Sequence, residues 1–145
     1  MDVAVAFLPL GMALIALALP SNRWRPWVLP ATGIAHSVLA AILISKPTIP
    51  STTALLAIDA PGKLILATVS GLFLICSFYA VGYLGWRLER SNRVFCACYA
   101  ALLGMMSLVA LSRHLGLMWV CVEMMALLTA PLLFFNRTPR SIEAT

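Results

Sequence analysis

Long apolar runs make up most of the chain, and their length is its most constraining feature. Five runs of about 17–23 residues alternate with short polar segments. A membrane-spanning helix needs about 20 consecutive apolar residues. In lipid, only helices and closed barrels satisfy their own backbone, and these runs lack the apolar–polar alternation of barrel strands. We therefore predict an all-α integral membrane protein with five transmembrane helices, at residues 3–19, 27–45, 64–86, 94–111 and 115–135.

The composition agrees with a membrane protein rather than a soluble one. Of the 145 residues, 62% are hydrophobic and only 10% are charged, whereas a soluble domain has about a quarter of its residues charged. We expect one transmembrane domain over residues 1–145. The first run starts almost at Met1 without a basic leader, so we expect a retained span rather than a cleaved signal peptide.

Basic residues lie at the ends of the apolar runs, which indicates membrane anchors and topology signals rather than a nucleic-acid surface. Cytoplasmic loops of membrane proteins carry more Lys and Arg than outer loops. Seven arginines fall on one predicted side, and three basic residues fall on the other. The larger set is Arg23, Arg25, Arg87, Arg90, Arg93, Arg137 and Arg140, and the smaller is Lys46, Lys63 and Arg113. We predict an N-terminus outside and a C-terminus in the cytoplasm.

Few groups in the chain suit a cofactor or a metal. Cys96 and Cys98 are two residues apart on a predicted helix and point to roughly opposite sides, which is poor metal geometry. We interpret them, with Cys76 and Cys121, as small buried hydrophobic residues. Asp59 precedes the third run and is expected to cap its helix. Residues 54–58, in the longest loop, are expected to form a short interfacial helical turn.

Glu123 is the one acidic residue deep inside an apolar run. A carboxylate at that depth costs about 2.5–3.5 kcal/mol on insertion scales, so an intramembrane acid suggests a proton or ion site. Burial favours its neutral form and a nearby cation favours the anion. A protonated glutamate bonding to a neighbouring helix is the alternative. Its helical face also holds small residues, so we expect it to face protein: Gly116, Trp119, Val120, Ala126, Leu127 and Ala130.

His36 lies in the middle of the second run and is a second candidate proton carrier. A lone histidine in a membrane helix is more often a hydrogen-bonded packing residue, and both interpretations stay open at this point. No lysine lies within the five runs. A charged partner for Glu123 is therefore expected on another chain.

Three segments of the sequence resemble a known family. Residues 115–123, Leu-Gly-Leu-Met-Trp-Val-Cys-Val-Glu, are similar to the fifth helix of the antiporter-like, proton-conducting subunits of respiratory complex I, membrane-bound hydrogenases and formate hydrogenlyases. Residues 58–62 and 77–84 resemble the approach to the family's third helix and its Tyr-x-x-Gly-Tyr pattern. Residues 142–145 resemble the connection into its sixth helix. The likeness is specific from about Asp59 onward.

In that family the helix-five glutamate pairs with a lysine on helix seven, and the complete subunit has about fourteen helices. The resemblance gives Glu123 the role of that glutamate. The chain ends where the family continues into helix six, so the lysine is expected from another polypeptide.

The resemblance implies a small subunit of a complex I-like or hydrogenase-like proton-translocating complex in the inner (cytoplasmic) membrane. It would work with other membrane subunits in the lipid bilayer. Oxidoreductase chemistry would occur in those partners, because no ligand for haem, an iron–sulfur cluster or flavin is evident here. Two alternatives are a non-conducting scaffold derived from an antiporter subunit and an unrelated small oligomeric transporter.

Overall fold

The computed structural model describes residues 2–45, 55–87 and 89–135, and this part of the chain is helical. The elements are α1 (Asp2–Ala18), a short 3-10 turn (Arg25–Trp27), α2 (Val28–Ser45), α3 (Ala60–Gly85), α4 (Arg93–Leu111) and α5 (Leu115–Phe134). The segments Arg25–Ser45, Ala60–Gly85, Arg93–Leu111 and Leu115–Phe134 are long and apolar enough to cross a membrane, and α1 is a shorter apolar helix. The prediction of an all-helical architecture is confirmed for the described residues, and the long apolar helices agree with a multi-pass membrane protein. The sides on which the termini lie stay a prediction.

Helix α3 starts four residues before the predicted boundary. Its N-cap is Asp59, whose Oδ1 accepts a hydrogen bond from the Gly62 amide at 2.7 Å. The predicted cap is therefore confirmed. Lys63 lies inside the first turn because its ammonium group reaches the Ile44 carbonyl, 3.1 Å away at the end of α2. A cation beside a helix C-terminus is favourable, so this residue does not interrupt the helix.

The bundle is built around α4, which packs against α1 on one side and α5 on another, while α2 packs against α3. One close approach joins α1 to α4. A Cβ atom added at Gly104 would lie 2.8 Å from the Leu10 side chain and 3.1 Å from the Ala6 carbonyl oxygen. A larger residue at position 104 would therefore require the Leu10 side chain to shift, so glycine favours this spacing.

Residues 55–58 do not form the expected helical turn. Leu56 forms an antiparallel bridge with Ser112, and the Ala57 amide donates to the Leu111 carbonyl at 2.8 Å. The Arg113 amide donates to the Leu55 carbonyl at 3.0 Å. The backbone of this segment thus forms its hydrogen bonds with the backbone of the α4–α5 turn. It therefore does not depend on helical hydrogen bonds of its own. Residue 54 of that prediction lies outside the described ranges.

Charges segregate to the two ends of the bundle as the sequence predicts. At one end, the loops before α2 and before α4 meet through the hydrogen bond from Asn92 Nδ2 to the Asn22 carbonyl, 2.8 Å long. This basic end carries Arg23, Arg25, Arg87, Arg90 and Arg93. Lys63 and Arg113 lie at the opposite end, and Lys46, Arg137 and Arg140 lie outside the described ranges.

Candidate functional site

Glu123 lies near the middle of α5 and is exposed on the surface of the chain. Helix α5 packs mainly against α4 and buries Cys121 as its only fully buried residue. The glutamate and the cysteine are two residues apart, so they project from different sides of the helix. The side of α5 that contacts α4 is therefore not the side that carries the carboxylate.

Among the described residues, no helix covers most of the small-residue face that was expected to meet another helix. Trp119 is 65% exposed, Val120 is 51% exposed and Leu127 is 66% exposed. Gly116 and Ala126 are also exposed, whereas Ala130, the last residue of that face, is half-buried. In the described part of the chain, Glu123 thus lies within a continuous apolar surface of α5.

No cation of the described chain approaches the Glu123 carboxylate. No hydrogen bond or ion pair among the described residues involves this side chain. Arg113, the nearest basic residue in sequence, lies in the turn before α5, about 15 Å away along the axis at 1.5 Å per residue. In the described structure, Glu123 and His36 do not share a site.

His36 is fully buried and joins three helices. Its Nε2 lies 2.9 Å from the Ser107 hydroxyl oxygen of α4, and its Nδ1 lies 3.1 Å from the Ser70 hydroxyl oxygen of α3. The Ser107 hydroxyl donates to the Leu103 carbonyl at 2.8 Å. The Ser107 oxygen can therefore accept from Nε2–H. The single hydroxyl proton of Ser70 is shared between Nδ1 and the Leu66 carbonyl, which lies 2.6 Å from the Ser70 oxygen. This arrangement satisfies a neutral imidazole as an interhelical bridge.

His36, which bonds to α4, and Glu123, on α5, lie at similar depths in the bundle. Ser107, which contacts His36, is four residues before the end of α4, and Glu123 is eight residues after the start of α5. Because the two helices are antiparallel across a three-residue turn, the two levels differ by about 6 Å. The imidazole has its partners inside this bundle, whereas the carboxylate has none among the described residues.

Arg25 has a structural role that the sequence analysis missed. The residue is 2% exposed, and its guanidinium donates to the Leu19 carbonyl, to Asn22 Oδ1 at 2.7 Å and to Asn92 Oδ1 at 2.6 Å. The cation thus caps the C-terminal end of α1 and joins two loops. The Asn-Arg-x-Arg sequence between the first two spans could have indicated a structural arginine in this loop. The sequence does not show, however, which of the two arginines is buried.

The cysteines differ in their surroundings. Cys96 and Cys121 are buried, as expected, but Cys98 is half-buried and Cys76 is exposed, so the prediction of four buried residues is wrong for these two. All four are free thiols. Within the described ranges, no group of three His, Cys, Asp or Glu side chains is placed to hold a metal ion.

Comparisons with protein-family models, with curated proteins and with solved structures found no match. The functional assignment therefore depends on the geometry of the residues described above.

Proposed function

We propose that this chain is a small membrane subunit of a redox-driven, proton-translocating complex of the complex I or hydrogenase type. It would supply the N-terminal helices of an antiporter-like module, with Glu123 as the proton-site residue. The observation that carries this proposal is a carboxylate at mid-helix on an apolar surface that no helix of the described chain covers. Electron transfer would take place in partner subunits, and this chain alone would catalyse no reaction.

The Glu123 carboxylate needs a partner that offsets the cost of placing it in the membrane. An ionised acid facing lipid at mid-helix is costly, and intramembrane acids almost always face a partner group or a water-filled cavity. Among the described residues, no cation bonds to the Glu123 carboxylate. A partner subunit that packs on α5 and brings a lysine to the carboxylate would remove the cost. The carboxylate could then take up and release a proton as the lysine changes its charge or position.

The test is the Glu123→Gln variant of the assembled complex, because glutamine keeps the size and hydrogen-bonding capacity but cannot ionise. We expect proton translocation to fall at least tenfold while the complex still assembles, since a proton relay depends on an ionisable group. Translocation would be followed by the pH change in sealed vesicles, and assembly by co-purification of the subunits. The matched control is Glu89→Gln, which removes an exposed acid at the basic end of the bundle.

Normal translocation in the Glu123→Gln complex would refute the proton-site role. That result would favour the scaffold alternative. The oligomeric-transporter alternative predicts instead that the purified chain moves protons in liposomes without any other subunit.

A further inference from the structure

A cavity at the basic end of the bundle combines an unpaired cation with aromatic and apolar walls. It has a volume of about 480 Å³ and lies between the loop before α2 and the last turns of α3. Arg23 and Trp27 form one wall, and Val81 and Gly85 form the other. Arg23 is exposed, and no described residue bonds to its guanidinium. A Cβ atom at Gly85 would meet nothing within 4 Å, so the α3 wall is open at this point.

The loop that presents Arg23 is held in place by its neighbours. Asn22 Nδ2 donates to the Arg90 carbonyl at 3.3 Å, and the Asn22 carbonyl accepts from Asn92 at 2.8 Å. On the other side of Arg23, the buried Arg25 donates to Asn22 Oδ1 at 2.7 Å. The backbone that presents Arg23 is therefore held by bonds on both sides, which lowers the cost of ordering the loop when a ligand binds.

The electrostatic environment of this cavity favours an anion. All hydrogen bonds of the buried Arg25 go to neutral oxygens, so no described acid neutralises its charge two residues from Arg23. The described part of the basic end has five arginines and one acid, Glu89, which gives a formal charge of +4 (five minus one). A fixed local excess of positive charge attracts anions from solution and from the membrane surface.

An exposed apolar stripe on α2 leads away from the cavity. It starts at Trp27, which is 55% exposed, and continues through Ala31 and Ile34 to Val38, which is 54% exposed. These residues recur every three or four positions, so they lie on one side of the helix. Eleven residues at 1.5 Å each span about 16 Å. One leaflet of a bilayer has a hydrocarbon thickness of about 15 Å, so the stripe matches the length of one acyl chain.

We propose that this surface binds an anionic phospholipid. The phosphate lies against Arg23 at the level of the Trp27 ring, and one acyl chain follows the α2 stripe to Val38. A zwitterionic lipid fits the stripe but gains less from the positive end of the bundle. A soluble phosphate gains from Arg23 but leaves the stripe uncovered. The site uses only residues of this chain and does not depend on the role of Glu123.

The test measures lipid binding to the purified full-length chain by native mass spectrometry from detergent micelles, with phosphatidylglycerol and phosphatidylcholine of identical acyl chains. We expect phosphatidylglycerol to bind about five- to tenfold more tightly. Arg23→Gln should reduce its affinity about fivefold, because one basic residue near an anionic surface contributes about that factor. The matched control is Arg113→Gln, which removes an exposed arginine at the opposite end and should leave the affinity unchanged.

Three outcomes would overturn the proposal. The first is equal affinity for the two lipids, and the second is an equal loss with Arg113→Gln. The third is displacement of phosphatidylglycerol by inorganic phosphate or by water-soluble glycerophosphoglycerol, which would identify a soluble-anion site without an acyl-chain groove. Circular dichroism of the Arg23→Gln chain would confirm that it is folded, and we expect no change because the Arg23 side chain makes no described hydrogen bond.

Discussion

Replacement of His36 by leucine measures how much the interhelical bridge stabilises the bundle. The variant removes two hydrogen bonds, of 2.9 Å to Ser107 and 3.1 Å to Ser70. Both serines retain bonds to carbonyls of their own helices, at 2.8 and 2.6 Å, so no buried hydroxyl loses its last partner. Side-chain hydrogen bonds within membranes average about 0.6 kcal/mol. Two such bonds predict a loss of about 1 kcal/mol in the free energy of unfolding.

The assay is reversible unfolding of the purified chain in mixed micelles, with the helical content followed by circular dichroism. A double-mutant cycle of His36→Leu with Ser107→Ala isolates one bond and should give a coupling energy of about 0.6 kcal/mol. Ser45→Ala is the control, because Ser45 is exposed and bonds only within its own helix. A coupling energy of zero would show that the bridge is not formed. A loss above about 4 kcal/mol would exceed the contribution of two neutral hydrogen bonds and would refute this magnitude.

Two further variants test the packing of the bundle. Arg25→Gln should lower the free energy of unfolding by about 3 kcal/mol, because it leaves the buried Asn92 oxygen without its charged donor. Unchanged stability in the same micelles would contradict the buried position of this guanidinium. Gly104→Ala should destabilise by about 1–2 kcal/mol through its contact with Leu10, although alanine favours a helix by about 1 kcal/mol. Gly71→Ala is the control, because the added Cβ meets nothing within 4 Å, and it should leave the stability unchanged or raise it. A similar loss of stability at Gly104 and Gly71 would refute the close α1–α4 contact.

The helices themselves were predictable, because the requirement of about 20 apolar residues per span leaves little freedom in where they lie. Asp59 was identified correctly as a cap, since its chemistry is local to the first turn of α3. The predicted start of α3 was wrong because a lysine at that position is typical of a loop. Only the contact of Lys63 with Ile44, which is distant in sequence, explains why it lies inside the helix. The prediction of a helical turn at residues 55–58 was wrong for the same reason, because their hydrogen-bonding partners lie in the α4–α5 turn.

The surroundings of the polar residues were less predictable than the helices. Helix α5 is apolar on all sides, so its sequence pattern does not distinguish the side that packs on α4 from the side that carries Glu123. Arg23 and Arg25 look equivalent in the sequence, yet one is exposed and the other is 2% exposed. The difference depends on Asn92, which lies in another loop. The partnership of His36 with serines 34 and 71 positions away has no local signature either.

Arg25, His36 and Glu123 are polar groups in apolar surroundings, but only the first two have hydrogen-bonding partners among the described residues. This difference supports the role proposed for Glu123. The buried Arg25 and His36 both have their hydrogen-bonding atoms matched by oxygens of the same bundle. Such matching is expected, because an unsatisfied polar group in a membrane costs several kcal/mol. Glu123 has no partner among the described residues and lies on the open side of α5. Since the fold satisfies the other two groups internally, compensation for the carboxylate is best sought on a neighbouring subunit.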